Sequence, residues 1–329
     1  MGGRFSAIYG SRFSGYIVCV HRFTTLESLK SLDRPLHLAL GVFDGVHVGH
    51  QAVIGRAVEA ARKDDGIAVV VTFDPHPIRV MAPDKAPKAL LATLNHKAHF
   101  LAKHGVGALV ALHFDDAFAG REAGEFLGDL MACRPRTLAV GEDWRFGRGR
   151  GGDITLLRGA SVIYGFRLEA VPPVMLDGER VSSTRIRQAI RDGNLRAAED
   201  MLGRRYTVSG EVVEGRKLGR TIGFPTANVD TGDAQLPPDG VWAVRVSVED
   251  GEPRPGVANL GLRPTVDGAT RMLEAYLFDF SGDLYGREIE VEFCQFLRGE
   301  RKFDNMEALR GQIGADARQA RQLLEAGQS

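Results

Sequence analysis

The sequence predicts an α/β doubly wound parallel sheet followed by an antiparallel β module and a closing helix, and three observations carry that expectation. Short apolar runs alternate with helical periods from residue 36 to 140. After residue 206, apolar runs follow one another with Gly, Pro and Asp turns between them, and residues 306–326 read as one amphipathic helix. Strands separated by helices pair in parallel, because a crossover is needed to return the chain to the same end of the sheet.

Residues 37–40 read as the first strand, 51–63 as a helix with Ala52, Val53, Ala57 and Ala61 near one face, and 67–73 as a β-branched strand. A helix around 95–103, stopped by Gly105, leads to a strand at 108–114, a helix at 123–131 and a strand at 137–140. Two short helices, 184–191 and 195–202, end at Gly193 and Gly203, as left-handed caps require. Strand-like segments at 206–213, 241–248, 272–280 and 288–295 have little helical signal between them and read as an antiparallel barrel or sandwich. The change of pattern near residues 203–205 divides the chain into domains 1–204 and 205–329. The first 30 or so residues read as a ragged leader. Residues 1–6 loosely fit a myristoylation pattern, and the stretch to His21 is basic and free of acids, faintly like a transit peptide.

Hydrophobic residues make up 44% of the chain and charged ones 26%, enough to bury a sizeable core. Lys+Arg and Asp+Glu both number 42, so no net field draws the chain to nucleic acid or membrane. Small-molecule substrates are the expected partners, and any phosphate site has to be local. Cys19, Cys133 and Cys294 lie far apart, with neither a disulfide framework nor metal-ligand spacing, which fits a reducing cytoplasm. No apolar run is long enough to span a bilayer. None of this fixes an oligomeric state.

Two segments carry chemistry. Gly41-Val42-Phe43-Asp44-Gly45-Val46-His47-Val48-Gly49-His50 joins the first strand to its helix. Its glycines let backbone N–H groups approach a phosphate, the helix N-terminus favours anions, and His47 and His50, three apart, share a face from which both can donate to a phosphoryl group. The loop from Gly215 to Asn228 combines glycine, base and hydroxyl: Gly215, Lys217, Gly219 and Gly223 free backbone or charge for phosphate, while Thr226 and Asn228 offer hard oxygens suited to Mg²⁺. Read alone, it is either a phosphate loop or a basic hairpin. Period-2 alternation puts Glu274 on one strand face with Met272, Tyr276, Phe278 and Phe280. A carboxylate on an apolar face is costly unless paired or used, so Glu274 is an ion-pair partner or a working acid.

The turn at 41–50 resembles the His-x-Gly-His nucleotidyltransferase signature in the form carried by bacterial bifunctional riboflavin kinase/FAD synthetases. Thr72-Phe73-Asp74-Pro75-His76-Pro77, Gly141-Glu142-Asp143-Trp144-Arg145-Phe146-Gly147 and Val181-Ser182-Ser183-Thr184-Arg185-Ile186-Arg187 agree with that family in order, and the 215–228 loop resembles its riboflavin kinase signature. The resemblance covers about residues 36 to 315. It implies a nucleotidyltransferase-type sheet as FMN adenylyltransferase in 1–204 and an antiparallel β-barrel riboflavin kinase with a C-terminal helix in 205–329. The implied enzyme phosphorylates riboflavin with ATP to FMN, then joins FMN to the AMP of a second ATP, releasing pyrophosphate, with Mg²⁺.

By the same resemblance, ATP lies over Gly41, Phe43, Asp44, Gly45 and Gly49 with its triphosphate against His47 and His50, and Ser182, Ser183, Thr184 and Arg185 close on it. The Ser182–Thr184 hydroxyls also suit a plain helix N-cap. Phe73, Trp144 and Phe146 are candidates for holding the isoalloxazine ring, with core packing the rival role for Phe73. Trp144 stands where the family usually carries Phe. In the kinase, Thr226 and Asn228 hold metal and terminal phosphates, and Glu274 matches the catalytic base. Residues 259–265 resemble the loop that covers flavin and nucleotide, Val266 replaces a common Phe, and Arg301, Phe303 and the last helix border the riboflavin site. A single-function nucleotidyltransferase leaves the 215–228 loop unexplained. An inactive flavin-binding protein has no need of His50, Thr226 and Glu274, and all three are present.

Overall fold

The computed structural model describes residues 9–13, 16–215, 223–249, 251–265 and 268–326. Two compact units emerge, Met1–Leu90 with Leu94–Ser183, and Leu91–Thr93 with Thr184–Ser329.

The chain enters the first unit through β1 (Tyr9–Phe13) and β2 (Tyr16–Phe23). It then runs β3 (Leu36–Leu40), α1 (Val48–Lys63), β4 (Ile67–Asp74), α2 (Pro77–Met81), α3 (Leu94–Lys103) and β5 (Ala108–His113). Next come α4 (Asp116–Ala119), α5 (Ala123–Ala132), β6 (Thr137–Gly141), α6 (Ile154–Tyr164), β7 (Arg167–Val171) and a small hairpin of β8 (Met175–Leu176) and β9 (Glu179–Arg180). The sheet order is β1-β2-β5-β4-β3-β6-β7, parallel except for the β1–β2 pair. The leader expectation is therefore corrected: residues 16–23 are a sheet strand, paired in parallel with β5 from His21 opposite Ala108.

β3 is buried at every position and β4 at six of eight, as expected of strands covered on both faces. Helix α1 packs on β3, β4 and β6 through Val53, Ile54, Ala57, Val58 and Ala61. From β3 the chain winds outward to β4 and β5, then returns to the other side of β3 for β6 and β7. The reversal lies between β3 and β6, and in such sheets the crevice beyond the carboxyl ends at that point receives the ligand.

The second unit holds most of α7 (Ser183–Arg191), α8 (Leu195–Leu202), six strands and the last helix. Strands β10 (Thr207–Val213), β11 (Ala227–Asp230), β12 (Gly240–Val248), β13 (Arg254–Thr265), β14 (Gly268–Leu277) and β15 (Glu288–Arg298) close a barrel in the order β10-β11-β14-β13-β12-β15. Closure settles the choice between barrel and sandwich. β14 ends at Leu277, short of the expected residue 280: the Phe278 N–H donates to the Pro255 carbonyl at 2.9 Å, and Asp279 turns the chain at φ +53°. Helix α9 (Met306–Ala326) lies on β12, β13 and β15, where Ala317, Ala320 and Leu324 join Val241, Ala243, Val257 and Phe278 in an apolar cluster.

Candidate active sites

The β3–α1 turn is built under backbone constraint. Phe43, Gly45 and Val46 all take positive φ, at +51°, +80° and +43°. For a bulky and a β-branched residue this costs on the order of 1–3 kcal/mol each, a cost that collects at functional sites. Gly41 is required because a Cβ there would come within 2.9 Å of the Phe43 ring, and one at Gly49 would come within 3.1 Å of His47. Asp44 and His47 are buried.

His47 is the N-cap of α1: its Nδ1 accepts the His50 N–H at 3.3 Å, so its proton sits on Nε2. The two imidazoles stack with centroids 3.5 Å apart, and Phe43 meets His50 edge-on at 5.4 Å. His50 Nδ1 is buried without a hydrogen-bond partner among the described residues. Desolvation, reinforced by His47, Lys97 and Arg180, pushes the His50 pKa well below its ordinary 6.5, so the ring is neutral at physiological pH. A neutral imidazole with an unused polar atom is a hydrogen-bond partner for incoming ligand, and backbone N–H groups supply the rest of an anion cradle.

The Ser183 hydroxyl donates to the Asp44 carbonyl at 3.0 Å, which ties the 182–183 segment to the turn. Thr184 and Arg185 follow in the first turn of the same helix. At the end of β6, Asp143 pairs with Arg180 of β9 at 2.5 Å, and that guanidinium holds the carboxyl below its usual range. Trp144 stacks on Phe146 at 4.6 Å. Phe146 is buried, and Phe73 is buried among Phe114, Phe118 and Phe126. Trp144 alone of the three aromatic candidates is partly exposed.

In the second unit, pairing brings three polar side chains into one row. Glu274 of β14 lies opposite Asn228 of β11 on one side and Asn259 of β13 on the other. Directly opposed residues share a face, and here it is the outer face, since Leu273, Ala275 and Leu277 fill the interior. Of the apolar face expected for Glu274, Met272 and Tyr276 lie along its own strand, whereas Phe278 and Phe280 fall beyond its end at Leu277, and its cross-strand neighbours are two amides. Tyr276 meets Phe224 edge-on at 5.4 Å. A Cβ on Gly215 would come within 2.2 Å of Asn228 Nδ2, so the amide occupies the space a side chain there would take. Gly223 takes φ +87° and Thr226 directly precedes β11. Lys217, Gly219 and Val266 lie outside the described residues.

Three residues beside these sites, Lys97, Arg180 and Glu300, were missed in the sequence, and Asn259 was read only as the start of the covering segment 259–265. Lys97 of α3 is buried, and its ammonium donates to the Val42 carbonyl at 2.8 Å and to Thr72 Oγ1 at 3.3 Å. Arg180 is the second. Glu300 is the third: Asn259 Nδ2 donates to its Oε1 at 3.5 Å, and a Cβ on Gly261 would run into its carboxylate. A signal existed for Lys97, which sits with Leu94, Ala98 and Leu101 on one helical stripe.

The FAD synthetase family model matches residues 29–185 and the riboflavin kinase model residues 202–324. A bifunctional riboflavin kinase/FMN adenylyltransferase of Escherichia coli K12 is 44% identical over 289 residues, covering 87% of this chain and 92% of that protein. Proteins of the same description from Haemophilus influenzae and Bacillus subtilis are 40% and 35% identical, covering 90% and 93% of this chain and 97% and 96% of theirs. A solved structure described as a macrolide-efflux protein from Streptococcus pneumoniae matches with TM-score 0.76 and 32% identity over 90% of this chain and 97% of that one. Among the described residues, no helix is long and apolar enough to cross a membrane. With both family models side by side and relatives matched almost end to end, the chain belongs to the bifunctional riboflavin kinase/FMN adenylyltransferase family.

Proposed function

We propose that the two sites divide the family's two reactions by residue, adenylyl transfer at the β3–α1 turn and phosphoryl transfer along the Asn228–Glu274–Asn259 row. As a member of this family the chain is a bifunctional transferase: it phosphorylates riboflavin with ATP to FMN, and adenylylates FMN with ATP to FAD and pyrophosphate. The functional boundary is placed at residues 204/205.

In the kinase half, Glu274 accepts the proton of the ribityl hydroxyl as its oxygen attacks the γ-phosphorus of ATP, and the bond to ADP breaks. The single observation that carries this role is the register of Glu274 between Asn228 and Asn259. Both amides can orient a carboxylate and present oxygen outward. The Thr226 hydroxyl and Asn228 amide oxygen are hard donors, and the close seat of Asn228 on Gly215 fixes one of them, so the set fits Mg²⁺. Bound Mg²⁺ neutralises charge on the terminal phosphates. Gly215, Lys217, Gly219 and Gly223 complete the phosphate loop.

In the adenylyltransferase half, an FMN phosphate oxygen attacks the α-phosphorus and pyrophosphate leaves, so no protein nucleophile is needed. His47 and His50 donate to the phosphoryl oxygens. Gly41, Phe43, Asp44, Gly45 and Gly49 shape the cradle, and Ser182, Ser183, Thr184 and Arg185 border it. Trp144, backed by Phe146 and the Phe73 cluster, supplies the flavin contact. The place of work we infer is the cytoplasm, where free thiols such as Cys133 and Cys294 stay reduced.

Complementation tests this division. His50→Ala fed riboflavin, ATP and Mg²⁺ should accumulate FMN without FAD, Glu274→Ala should make neither, and the two mixed should make FAD. A mixture that stays without FAD, both variants being folded, refutes the assignment.

A further inference from the structure

Lys97 is a buried cation that the scheme above does not use. It is 7% exposed and sits on the inward stripe of α3. Two of its three N–H donors are engaged: one reaches the Val42 carbonyl at 2.8 Å, the other Thr72 Oγ1 at 3.3 Å. Thr72, fully buried on β4, donates its own hydroxyl proton to the same carbonyl at 2.8 Å. Val42 is the residue just before the run of positive-φ positions, so one acceptor at the root of the strained turn is gripped by two donors from α3 and β4.

Burying an ammonium costs several kcal/mol unless it is compensated, and a core position could be filled by Leu or Met at no such cost. Partial compensation comes from Asp44 and Asp74, whose charges oppose the effect of burial on Lys97.

We propose that Lys97 is a positioning residue for adenylyl transfer, fixing the carbonyl of Val42 and placing an ammonium group beside the His47–His50 turn. This rests on the assignment of that turn to adenylyl transfer. The groups facing His50 are His47 and Phe43 from its own segment, Lys97 from α3 and Arg180 from β9. Every charged one among them opposes protonation of the ring. Lys97 therefore acts twice: as a donor that holds the turn, and as a charge that adds to burial in keeping His50 a neutral hydrogen-bond partner.

The two roles separate in Lys97→Gln, which keeps an N–H donor for Val42 and loses the charge. In the full-length protein, the titration midpoint of the His50 ring, followed by NMR, should rise by about half a pH unit or more. FMN adenylylation should fall about tenfold, chiefly in kcat, as expected when a charged hydrogen bond is replaced by a neutral one, while riboflavin phosphorylation stays within about twofold. Lys97→Arg should restore the low midpoint. An unmoved midpoint in Lys97→Gln, or adenylylation within about twofold of the parent, overturns the proposal. Should Lys97→Gln lose the melting transition of the first unit, the titration of Lys97→Arg decides: a midpoint no higher than the parent's supports it, and a higher one overturns it. The titration reads the ring and not the reaction, so its outcome is independent of whether His50 serves adenylyl transfer, which complementation decides.

Discussion

On the proposed assignment, the two candidate sites solve one problem, holding a triphosphate, with different parts. At the β3–α1 turn the work falls to backbone and position: a helix N-terminus, glycines at points where a Cβ would collide, positive φ at three of the four residues 43–46 and two stacked imidazoles. On the barrel the work falls to side chains brought level by strand register, with Asn228, Glu274 and Asn259 on three neighbouring strands. No carboxylate is asked to take a proton at the first site, where the buried Asp44 helps to shape the cradle, because the nucleophile is a phosphate that is already anionic. The second has such a carboxylate at its centre, and its nucleophile is a neutral alcohol. On that assignment the architecture of each site matches the protonation state of its nucleophile.

The sharpest way to break that comparison is to remove the proton acceptor while keeping its shape. Glu274→Gln should lower riboflavin phosphorylation by about 10²–10⁴ and leave adenylylation of supplied FMN unchanged, measured as separate steady-state rates on one preparation. A loss in both would mean that the barrel site also serves the second reaction. Next in size, His50→Ala should lower FMN adenylylation by about 10²–10³, the effect of removing one donor from a charge-stabilising site, with riboflavin phosphorylation intact.

The pH dependence sharpens the contrast. The pKa of His50 is depressed from 6.5 in the folded chain, so the ring stays neutral as the solution is acidified through that value. Stability linked to it is fully present above pH 6.5 and lost as pH falls from there toward the depressed value, because only the unfolded chain takes up the proton in that window. The kcat/KM for FMN adenylylation should accordingly show no acid limb centred near 6.5. A limb at the ordinary histidine value would mean that the ring is charged in the resting enzyme.

What the sequence disclosed divides along similar lines. The parallel sheet was legible because β3, β4 and β5 are continuous apolar runs, and the histidine turn because glycine and His spacing is a local signal. β13 was illegible because Pro255, Gly256, Gly261 and Pro264 interrupt it, although pairing on both sides by β12 and β14 overrides their low propensity. β2 was hidden for another reason: what brings it into the parallel sheet is β5, far ahead in sequence, and nothing local says that a stretch near the N-terminus will find it. Alternation singles out Glu274 and gives its face, while only register gives what lies opposite, the amides of Asn228 and Asn259. Lys97 was readable by the same reasoning used for Glu274, a charge on an apolar stripe.

Gly215→Ala should lower riboflavin phosphorylation about tenfold, since the new methyl must displace the Asn228 amide by more than a few tenths of an ångström, with ATP KM raised and adenylylation unaffected. The smallest effect belongs to Ser183. Its hydroxyl proton is committed to the Asp44 carbonyl at 3.0 Å, so it has lone pairs but no donor to offer an anionic phosphate. Its contribution is to hold the turn, through one neutral hydrogen bond among several that fix the same segment. Ser183→Ala should therefore cost FMN adenylylation only about two- to tenfold, with ATP KM nearly unchanged. A hundredfold loss accompanied by a raised KM would show that the hydroxyl leaves Asp44 and turns to the nucleotide, which would make the Ser182–Arg185 segment a phosphate clamp in its own right and not a brace for the turn.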